Sequence, residues 1–373
     1  MGDDATVRLS FACSVPEHVI ASYAKIPLTR DYLVDMGLSV LYFDGVRIRV
    51  LPGGPQFVAD GAALRFLSRC RDYDVIEIYP DGNAYRQYRS DSDDATIVVT
   101  GRCNSNCVMC PDPDQVRRHA PIASIDTLLE LVRHIPSDVP HITITGGEPF
   151  LLGEDIFLLF ESLNRFASAS FLLLTNGRVF ALRHYLEEAK RTLPAMMTIG
   201  IPLHGFDAHS HDSVTRAPGS FIQTMKGLHG LLQLGMNVEL RIVVSKLTAA
   251  YLDQMADLIV SELDGVSCVK IMGLEMLGNA RINRETVWLS YPSAARAAEN
   301  AIAQIVSAGI DVSLYNFPLC AVSPRFWMLC ERSISDYKVR YADICKSCTV
   351  RDACGGVFAG TLRLAQGELQ PVR

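Results

Sequence analysis

Between residues 96 and 310 the chain alternates short apolar, β-branched runs with helical patterns, and it does so six times. The runs are Thr96 to Thr100, His141 to Thr145, Phe171 to Thr175, Met197 to Ile201, Val238 to Val244 and Val269 to Met272. The helical patterns between them place apolar residues at i, i+3, i+4, i+7, most clearly Ile125, Leu128, Leu129, Val132 and Leu252, Met255, Ala256, Ile259. Repeated strand-helix units read as a parallel α/β architecture. A complete eight-unit barrel takes roughly 250 residues. This shorter segment therefore predicts an open, partial (β/α)6 TIM-like barrel, whose site would gather at the carboxyl ends of the strands.

Two of those strand ends carry chemistry. After Thr96 to Thr100 comes Gly-Arg-Cys-Asn-Ser-Asn-Cys-Val-Met-Cys-Pro, in which Cys103, Cys107 and Cys110 form a C-x3-C-x2-C triad. Three thiolates can hold three corners of a cubane iron-sulfur cluster and leave the fourth iron to a non-protein ligand. Electron-transfer clusters and structural zinc sites normally close all four positions. A loop supplying only three favours catalysis over storage. After His141 to Thr145 comes Gly146-Gly147-Glu148-Pro149, whose paired glycines let backbone approach a ligand without a Cβ in the way. Alone, a C-x2-C pair reads as zinc or redox and a Gly-Gly pair as a turn. In this order, each after a strand, they read as one site.

Together the two motifs resemble the radical S-adenosylmethionine (SAM) superfamily. The resemblance implies a 4Fe-4S cluster on Cys103, Cys107 and Cys110, with SAM on its open iron and the Gly146, Gly147, Glu148, Pro149 loop on the methionyl amine. It further implies one-electron cleavage of SAM to a 5′-deoxyadenosyl radical that abstracts a hydrogen atom from substrate. Thr175 and Asn176, in Leu174-Thr175-Asn176-Gly177, are expected to make polar contacts to SAM and read equally as an Asn-Gly turn. Pro202 stands where many members carry Ser, so Arg216 or Arg241 is expected to supply the cation for the SAM carboxylate. Both arginines also read as surface or structural residues. Met272 falls where backbone in related proteins passes the adenine, and Glu275 reads as a fold-supporting residue, with a catalytic role as the alternative.

Downstream, Cys345-x2-Cys348-x5-Cys354-Gly355-Gly356 supplies three close thiols, with Cys320 as a candidate fourth ligand and Cys330 as its rival. This resembles the shortened auxiliary-cluster (twitch) domain of radical SAM enzymes, related to the longer SPASM domain, and implies a second, auxiliary iron-sulfur cluster. Phe358 stands where a full SPASM motif has another Cys, which argues against two such clusters. Zinc is the alternative occupant. Cys13, Cys70 and Cys268 are expected to be ordinary buried thiols.

A narrower resemblance covers about residues 96 to 360. Thr100-Gly101-Arg102-Cys103-Asn104-Ser105-Asn106-Cys107, Met272-Gly273-Leu274-Glu275, Tyr315-Asn316-Phe317-Pro318-Leu319-Cys320, Ser333-Ile334-Ser335-Asp336-Tyr337-Lys338 and Cys354-Gly355-Gly356 look like the His-Xaa-Ser system radical SAM maturases of the HxsC type. That subgroup is expected to carry Ile-Pro-Leu at Ile201 to Leu203, whereas His204 and Tyr337 depart from the Tyr and Trp associated with those positions. The resemblance implies modification of a ribosomal precursor peptide bearing His-Xaa-Ser repeats. It also implies a sister radical SAM maturase as partner, with flavodoxin or ferredoxin as reductant. The expected product is an intramolecular crosslink, the auxiliary cluster taking the electron left as the bond closes, with epimerisation or fragmentation as other outcomes. Two other classes stay open: a small-molecule radical SAM enzyme, and a non-catalytic iron-sulfur scaffold or electron relay for the sister protein.

Composition narrows the partners. A formal charge of -6 and a pI near 5.9 leave no basic excess for nucleic acid. At 373 residues and 49% hydrophobic content the chain exceeds one average domain and can bury a large core. No 18-residue apolar span occurs, and Met1-Gly2-Asp3-Asp4 is acidic where a secretory n-region would be basic, so no membrane partner and a cytoplasmic location are expected. Eleven cysteines in short spacings fit a reducing compartment and metal ligation better than a disulfide framework.

Residues 1–95 are expected to form a β-rich segment that recognises the peptide or a partner, or serves as a lid on the barrel. Val46 to Leu51 reads as a strand, Val75 to Tyr79 and Ala84 to Tyr88 as a hairpin, and Ser90 to Asp94 as a linker. The expected division is 1–95, 96–310 for the barrel and 311–373 for the auxiliary cluster domain.

Overall fold

The computed structural model describes residues 6–9 and 18–373. An N-terminal sheet comes first, built from β1 (Thr6–Arg8), β2 (Val19–Ala24), β3 (Val40–Phe43), β4 (Arg47–Leu51), β5 (Gln56–Val58), β6 (Val75–Ile78) and β7 (Asn83–Tyr88). Its order is β1-β7-β6-β2-β3-β4-β5, antiparallel except between β2 and β3. The expected 46–51 strand and 75–88 hairpin both form. Gly82 turns the hairpin at φ 86°, and Asp81 accepts the Asn83 amide at 2.9 Å. The sheet has its own core around Leu41, Ile48, Phe57, Ile76 and Ile78.

The second sheet contains β8 (Asp94–Val98), β9 (His141–Thr145), β10 (Ser170–Leu174), β11 (Met197–Pro202), β12 (Asn237–Val244), β13 (Cys268–Gly273), β14 (Asp311–Tyr315) and β15 (Cys330–Glu331). They lie in sequence order and every neighbouring pair is parallel. β8 and β15 remain as edges, so the barrel is open. Its strands alternate: Ile142, Ile144, Phe171, Leu173, Leu240 and Ile242 are buried in the main core, whereas Thr143, Leu172, Arg241 and Lys270 are half-buried on the other face. Parallel strands covered on both faces usually read as unbroken hydrophobic runs. The alternation marks a concave face that stays wet.

The parallel sheet does not end at residue 310. β14 pairs with β13 from Asp311 opposite Cys268 to Tyr315 opposite Met272, and β15 pairs with β14. The preceding helix Tyr291–Ser307, capped by the Ser290 hydroxyl and ended near Gly309 at φ 83°, is one more crossover of the same kind. The expected division at 310 therefore cuts between a crossover helix and its strand, and two further parallel strands, β14 and β15, extend the sheet beyond the six units.

The N-terminal sheet packs on the outer wall of the barrel. Ser22 Oγ lies 2.8 Å from His134 Nδ1, Arg133 donates to the Gly37 carbonyl, and Ile20, Val75 and Tyr88 join the barrel's core. The expected linker ends in structure, because Asp94 already opens β8 and Asp74 accepts both the amide and the hydroxyl of Ser90. Beyond β15 the chain runs through short 3-10 turns and one antiparallel pair, Val339–Arg340 with Val357–Phe358. Lys338 Nζ sits 3.5 Å from Glu275, and Thr361 Oγ1 accepts the Met276 amide, tying this segment to the loop after β13. Glu275 thus supports the fold. Among the described residues no helix is long and apolar enough to cross a membrane.

Cys70 is buried as expected, and Cys13 lies outside the described residues. Cys268 differs from expectation. Strand parity places it on the concave face, half-buried, with Sγ 3.9 Å from Glu239 Oε2.

Candidate functional site

The loop from Gly101 to Pro111 has little regular structure, yet its backbone is held almost residue by residue. Cys103 N donates to Arg117 O (2.9 Å), Asn106 N to Thr215 O (2.9 Å) and Val108 N to Val214 O (2.9 Å), while Cys110 O accepts Ala280 N (3.2 Å). Side-chain amides complete the hold. Asn279 donates to Asn106 Oδ1 and to the Cys107 carbonyl, and Asn283 donates to the Val108 carbonyl. Arg178 reaches Asn104 O and Ser105 Oγ, and Asn176 Nδ2 donates to Asn104 Oδ1 at 2.7 Å. Val108 and Met109 anchor the loop apolarly against Val214, Leu274 and Met276. The helix Ala208–Thr215, the helix Gly278–Ile282 and the end of β10 therefore fix the three cysteines jointly.

Burial pushes the Cys107 thiol up to about 12 and raises Cys110 as well, with Arg117 pulling each back down. The Ser105 amide donates to Cys103 Sγ at 3.4 Å and Arg117 Nη1 to Cys110 Sγ at 2.6 Å. Metal binding would have to release those protons. Among the described residues no three His, Cys, Asp or Glu side chains converge as ligands of one ion do. Three thiols fixed on one loop and met by donors aimed at sulfur are a donor set that a metal group could use.

The Gly-Gly pair packs closely on the cysteine loop. A Cβ on Gly146 would strike the Thr100 carbonyl and one on Gly147 the Arg102 carbonyl. Gly147 N and Glu148 N donate to those same carbonyls at 2.7 and 2.9 Å. The bare side of the pair thus faces the chain itself and locks the second loop onto the cysteine loop. Glu148, 2% exposed, accepts from Phe150 N, Thr175 Oγ1 and Asn176 N at 3.1, 2.8 and 2.8 Å. Burial raises its pKa, and the three donors oppose the rise. Pro149 is buried beside it, and the Thr175 hydroxyl is committed to Glu148, so this cluster ties the end of β9 to the end of β10.

The two candidate arginines are not brought together. Arg216 ends the helix Ala208–Thr215 in a left-handed conformation, φ 52°, exposed, with Nη2 3.3 Å from Asn283 Oδ1 beside the cysteine loop. Arg241 lies on the concave face, with Nη1 2.7 Å from Glu239 Oε1. Met272 lies on that face too, opposite Val243 and Tyr315. Just past β11, His204 and His211 form a buried pair, with the His204 amide 3.3 Å from His211 Nδ1; burial lowers their pKa to about 3 and about 4. One His in the turn after a strand and another on the following helix gave no sequence signal for this pairing.

Register stacks the concave face in rows. Glu239, Cys268 and Asp311 form one; Arg241, Lys270 and Ser313 the next; Val243, Met272 and Tyr315 the next toward the carboxyl ends. Lys270 Nζ is 3.1 Å from Ser313 Oγ and 5.0 Å from the centre of the Tyr315 ring. Glu239, Cys268, Lys270 and Asp311 line a cavity of about 1190 Å³.

A second cysteine site lies beyond β14. Cys320, Cys345, Cys348 and Cys354 line one cavity of about 370 Å³ with Tyr341, Leu369 and Gln370. Leu319 N and Gly356 N donate to Cys354 Sγ and Val372 N donates to Cys348 Sγ, each at 3.4 Å, while the Gln370 backbone donates to Cys320. Cys330 is outside this cavity, on β15, with Sγ against the Phe326 carbonyl at 3.7 Å. Of the two candidates, Cys320 shares this cavity with Cys345, Cys348 and Cys354, and Cys330 does not.

Fold and site together define an open α/β barrel with a three-thiol loop at the carboxyl end of its first parallel strand. Residues 97–259 match the family model described as the Radical SAM superfamily. Among curated proteins, GTP 3′,8-cyclase of Petrotoga mobilis is 26% identical over 164 residues, 43% of this chain and 49% of its own length. AdoMet-dependent heme synthase of Nitratidesulfovibrio vulgaris is 26% identical over 150 residues, 40% of this chain and 39% of its own. The chain spans about half the length of the first of these relatives. The crystal structure of Streptococcus suis SuiB bound to precursor peptide SuiA shows 13% identity and a TM-score of 0.48, covering 60% of this chain and 48% of that one.

Proposed function

We propose that this radical SAM enzyme is a cytoplasmic maturase of the His-Xaa-Ser type that installs an intramolecular crosslink in a ribosomal precursor peptide. The observation that carries the reading is the coexistence of the open three-thiol loop with a separate four-thiol cavity in one chain. A crosslink removes two hydrogens from the peptide, one as an atom and one as a proton with an electron left over, so the reaction needs both a radical source and an electron acceptor.

When bound, a 4Fe-4S cluster on Cys103, Cys107 and Cys110 with SAM on its open iron supplies the one-electron cleavage of SAM and the hydrogen abstraction that follows. The chain's own residues orient that site. Asn279, Asn283 and Arg178 fix the cysteine loop, and Gly146 to Glu148 clamp it from the β9 side. Asn176, Arg216, Arg241 and Met272 are the candidates for SAM contacts along the strand ends. Cys320, Cys345, Cys348 and Cys354 would hold the auxiliary cluster, a group that supplies an electron acceptor. The concave face offers Arg241, Lys270, Glu239 and Asp311 to polar peptide groups, and the unclosed barrel lets an extended chain lie across it rather than be engulfed. A sister maturase and a flavodoxin or ferredoxin complete the proposal, with the N-terminal sheet as the peptide- or partner-binding unit.

A small-molecule reading is favoured by one observation, the likeness of the barrel segment to proteins named GTP 3′,8-cyclase. Anaerobic incubation of reconstituted protein with SAM, reductant and either a His-Xaa-Ser peptide or GTP separates the two. Peptide product lighter by two hydrogens, matched by 5′-deoxyadenosine, is expected. Unchanged mass with an inverted stereocentre would replace crosslinking by epimerisation, GTP turnover without peptide would favour the second reading, and absence of 5′-deoxyadenosine would leave a scaffold.

A further inference from the structure

The cysteine loop packs against a buried cation that the proposed reaction does not use. Arg117 lies on the short helix Asp114–His119 and is 4% exposed. Its Nη1 is 2.6 Å from Cys110 Sγ, its Nη2 donates to the Ser105 carbonyl, its own carbonyl accepts the Cys103 amide at 2.9 Å, and its Nε is buried without a partner. Burying a guanidinium is costly unless an anion or a full set of acceptors compensates it. The acid on its own helix, Asp114, already holds Arg118 at 2.7 Å and Asn106 at 2.6 Å. Among the described residues no carboxylate forms an ion pair with Arg117. What faces it is sulfur: Cys110, Cys103 and Cys107 are its strongest electrostatic partners. Neutral thiols do not balance a buried positive charge. Thiolates on a cluster do.

We infer that Arg117 is the fixed counter-charge of the cluster held by Cys103, Cys107 and Cys110, and that it raises that cluster's reduction potential. The inference rests on the reading of these three cysteines as cluster ligands. Adding an electron makes the cluster more negative, and a desolvated cation in contact with a ligand sulfur favours the reduced form. Net charge, hydrogen bonds to sulfur and solvent exposure are the levers that set such potentials. Arg118, the neighbour in sequence, keeps a side chain 62% exposed, so the effect belongs to one arginine of the pair. Arg117 acts through the cysteines and is a positioning residue, not a catalytic one.

The test is a redox titration of full-length, anaerobically reconstituted protein, following by electron paramagnetic resonance the signal that changes when SAM is added, with iron counted in parallel. In the parent protein that SAM-responsive signal checks the ligand reading itself. Arg117→Gln is expected to keep the signal and lower the reduction equilibrium constant at least tenfold, 59 mV for one electron, while Arg117→Lys recovers most of the shift. An unchanged potential in Arg117→Gln overturns the inference and leaves the ligand reading intact. If Arg117→Gln fails to retain iron at this site while Arg117→Lys retains it, the positive charge is required and the counter-charge role stands. If both lose it, shape rather than charge is what Arg117 provides, and the inference falls.

Discussion

The cysteine loop at residues 101–111 and the cysteine cavity formed between residues 318 and 370 are built on opposite plans. In the first, three thiols ride on a loop whose amides and carbonyls are taken up by three helices, the loop after β9, the Arg178 guanidinium and the side-chain amides of Asn279 and Asn283. In the second, four thiols sit on or at the ends of 3-10 turns, and the recurrent polar contacts are backbone N–H groups aimed at sulfur, among them those of Gln370 and Val372. A site that must leave one corner open to a substrate cannot rely on its metal group for shape, so the protein supplies the geometry. A site closed by four ligands can take much of its shape from what it encloses.

The sharpest way to break this comparison is to remove one ligand from each site. Cys107→Ala is expected to abolish 5′-deoxyadenosine formation, whereas Cys348→Ala should lose the second site's iron yet cleave SAM within about tenfold of the parent rate, a barrier change of about 1.4 kcal/mol. Equal loss in both variants would show that the two sites act as one unit.

Hydrogen exchange on metal-free protein sharpens it further. Amides of residues 103–110 should stay protected by at least about 2 kcal/mol more than those of 340–372. Matching exchange in the two segments would remove the distinction between protein-built and metal-built geometry.

A third way to sharpen the comparison is a pH dependence that begins at the first site. Burial depresses His204 and His211 to about 3 and about 4, below the ordinary value of 6.5. Their contribution to stability is complete above pH 6.5 and is lost as pH falls, because the unfolded chain takes up protons that the folded one refuses. Between pH 7 and pH 5 the two together should lower stability by about 2–4 kcal/mol in thermal unfolding. His211 lies on the helix whose last residues accept the Asn106 and Val108 amides, so acid should loosen the cysteine loop before the second cavity. A double variant, His204→Asn with His211→Asn, that keeps the same pH profile would assign the acid sensitivity elsewhere.

Much of the fold was legible because its strands alternate. His141–Thr145 forms over the residues expected, and the other five expected strands form within two residues of theirs. The seventh parallel strand was not assigned, since Asp311–Tyr315 follows a long helix and leads into Asn316-Phe317-Pro318, where the cysteine pattern dominates the reading. Spacing alone located the three-thiol loop. It could not show that Gly146 and Gly147 press on the chain's own carbonyls, since a tight approach looks the same in sequence whatever is approached. Arg117 stood in a basic run, Arg117-Arg118-His119, in which only helix rotation decides which side chain turns inward. Cys320 and Cys330 are separated by the course of the tail at Leu369 and Gln370, a long-range contact with no local signature.

The rows on the concave face have an electrostatic consequence. Rows on a parallel sheet are about 6.6 Å apart, two residues of strand rise. Over that single step the lining changes from the carboxylates Glu239 and Asp311 to the cations Arg241 and Lys270. Arg241 closes onto Glu239 across that step, so the charge difference along the barrel axis is left chiefly to Lys270 and Asp311. A polar molecule of either net charge meets a preferred orientation there before any hydrogen bond to it has formed.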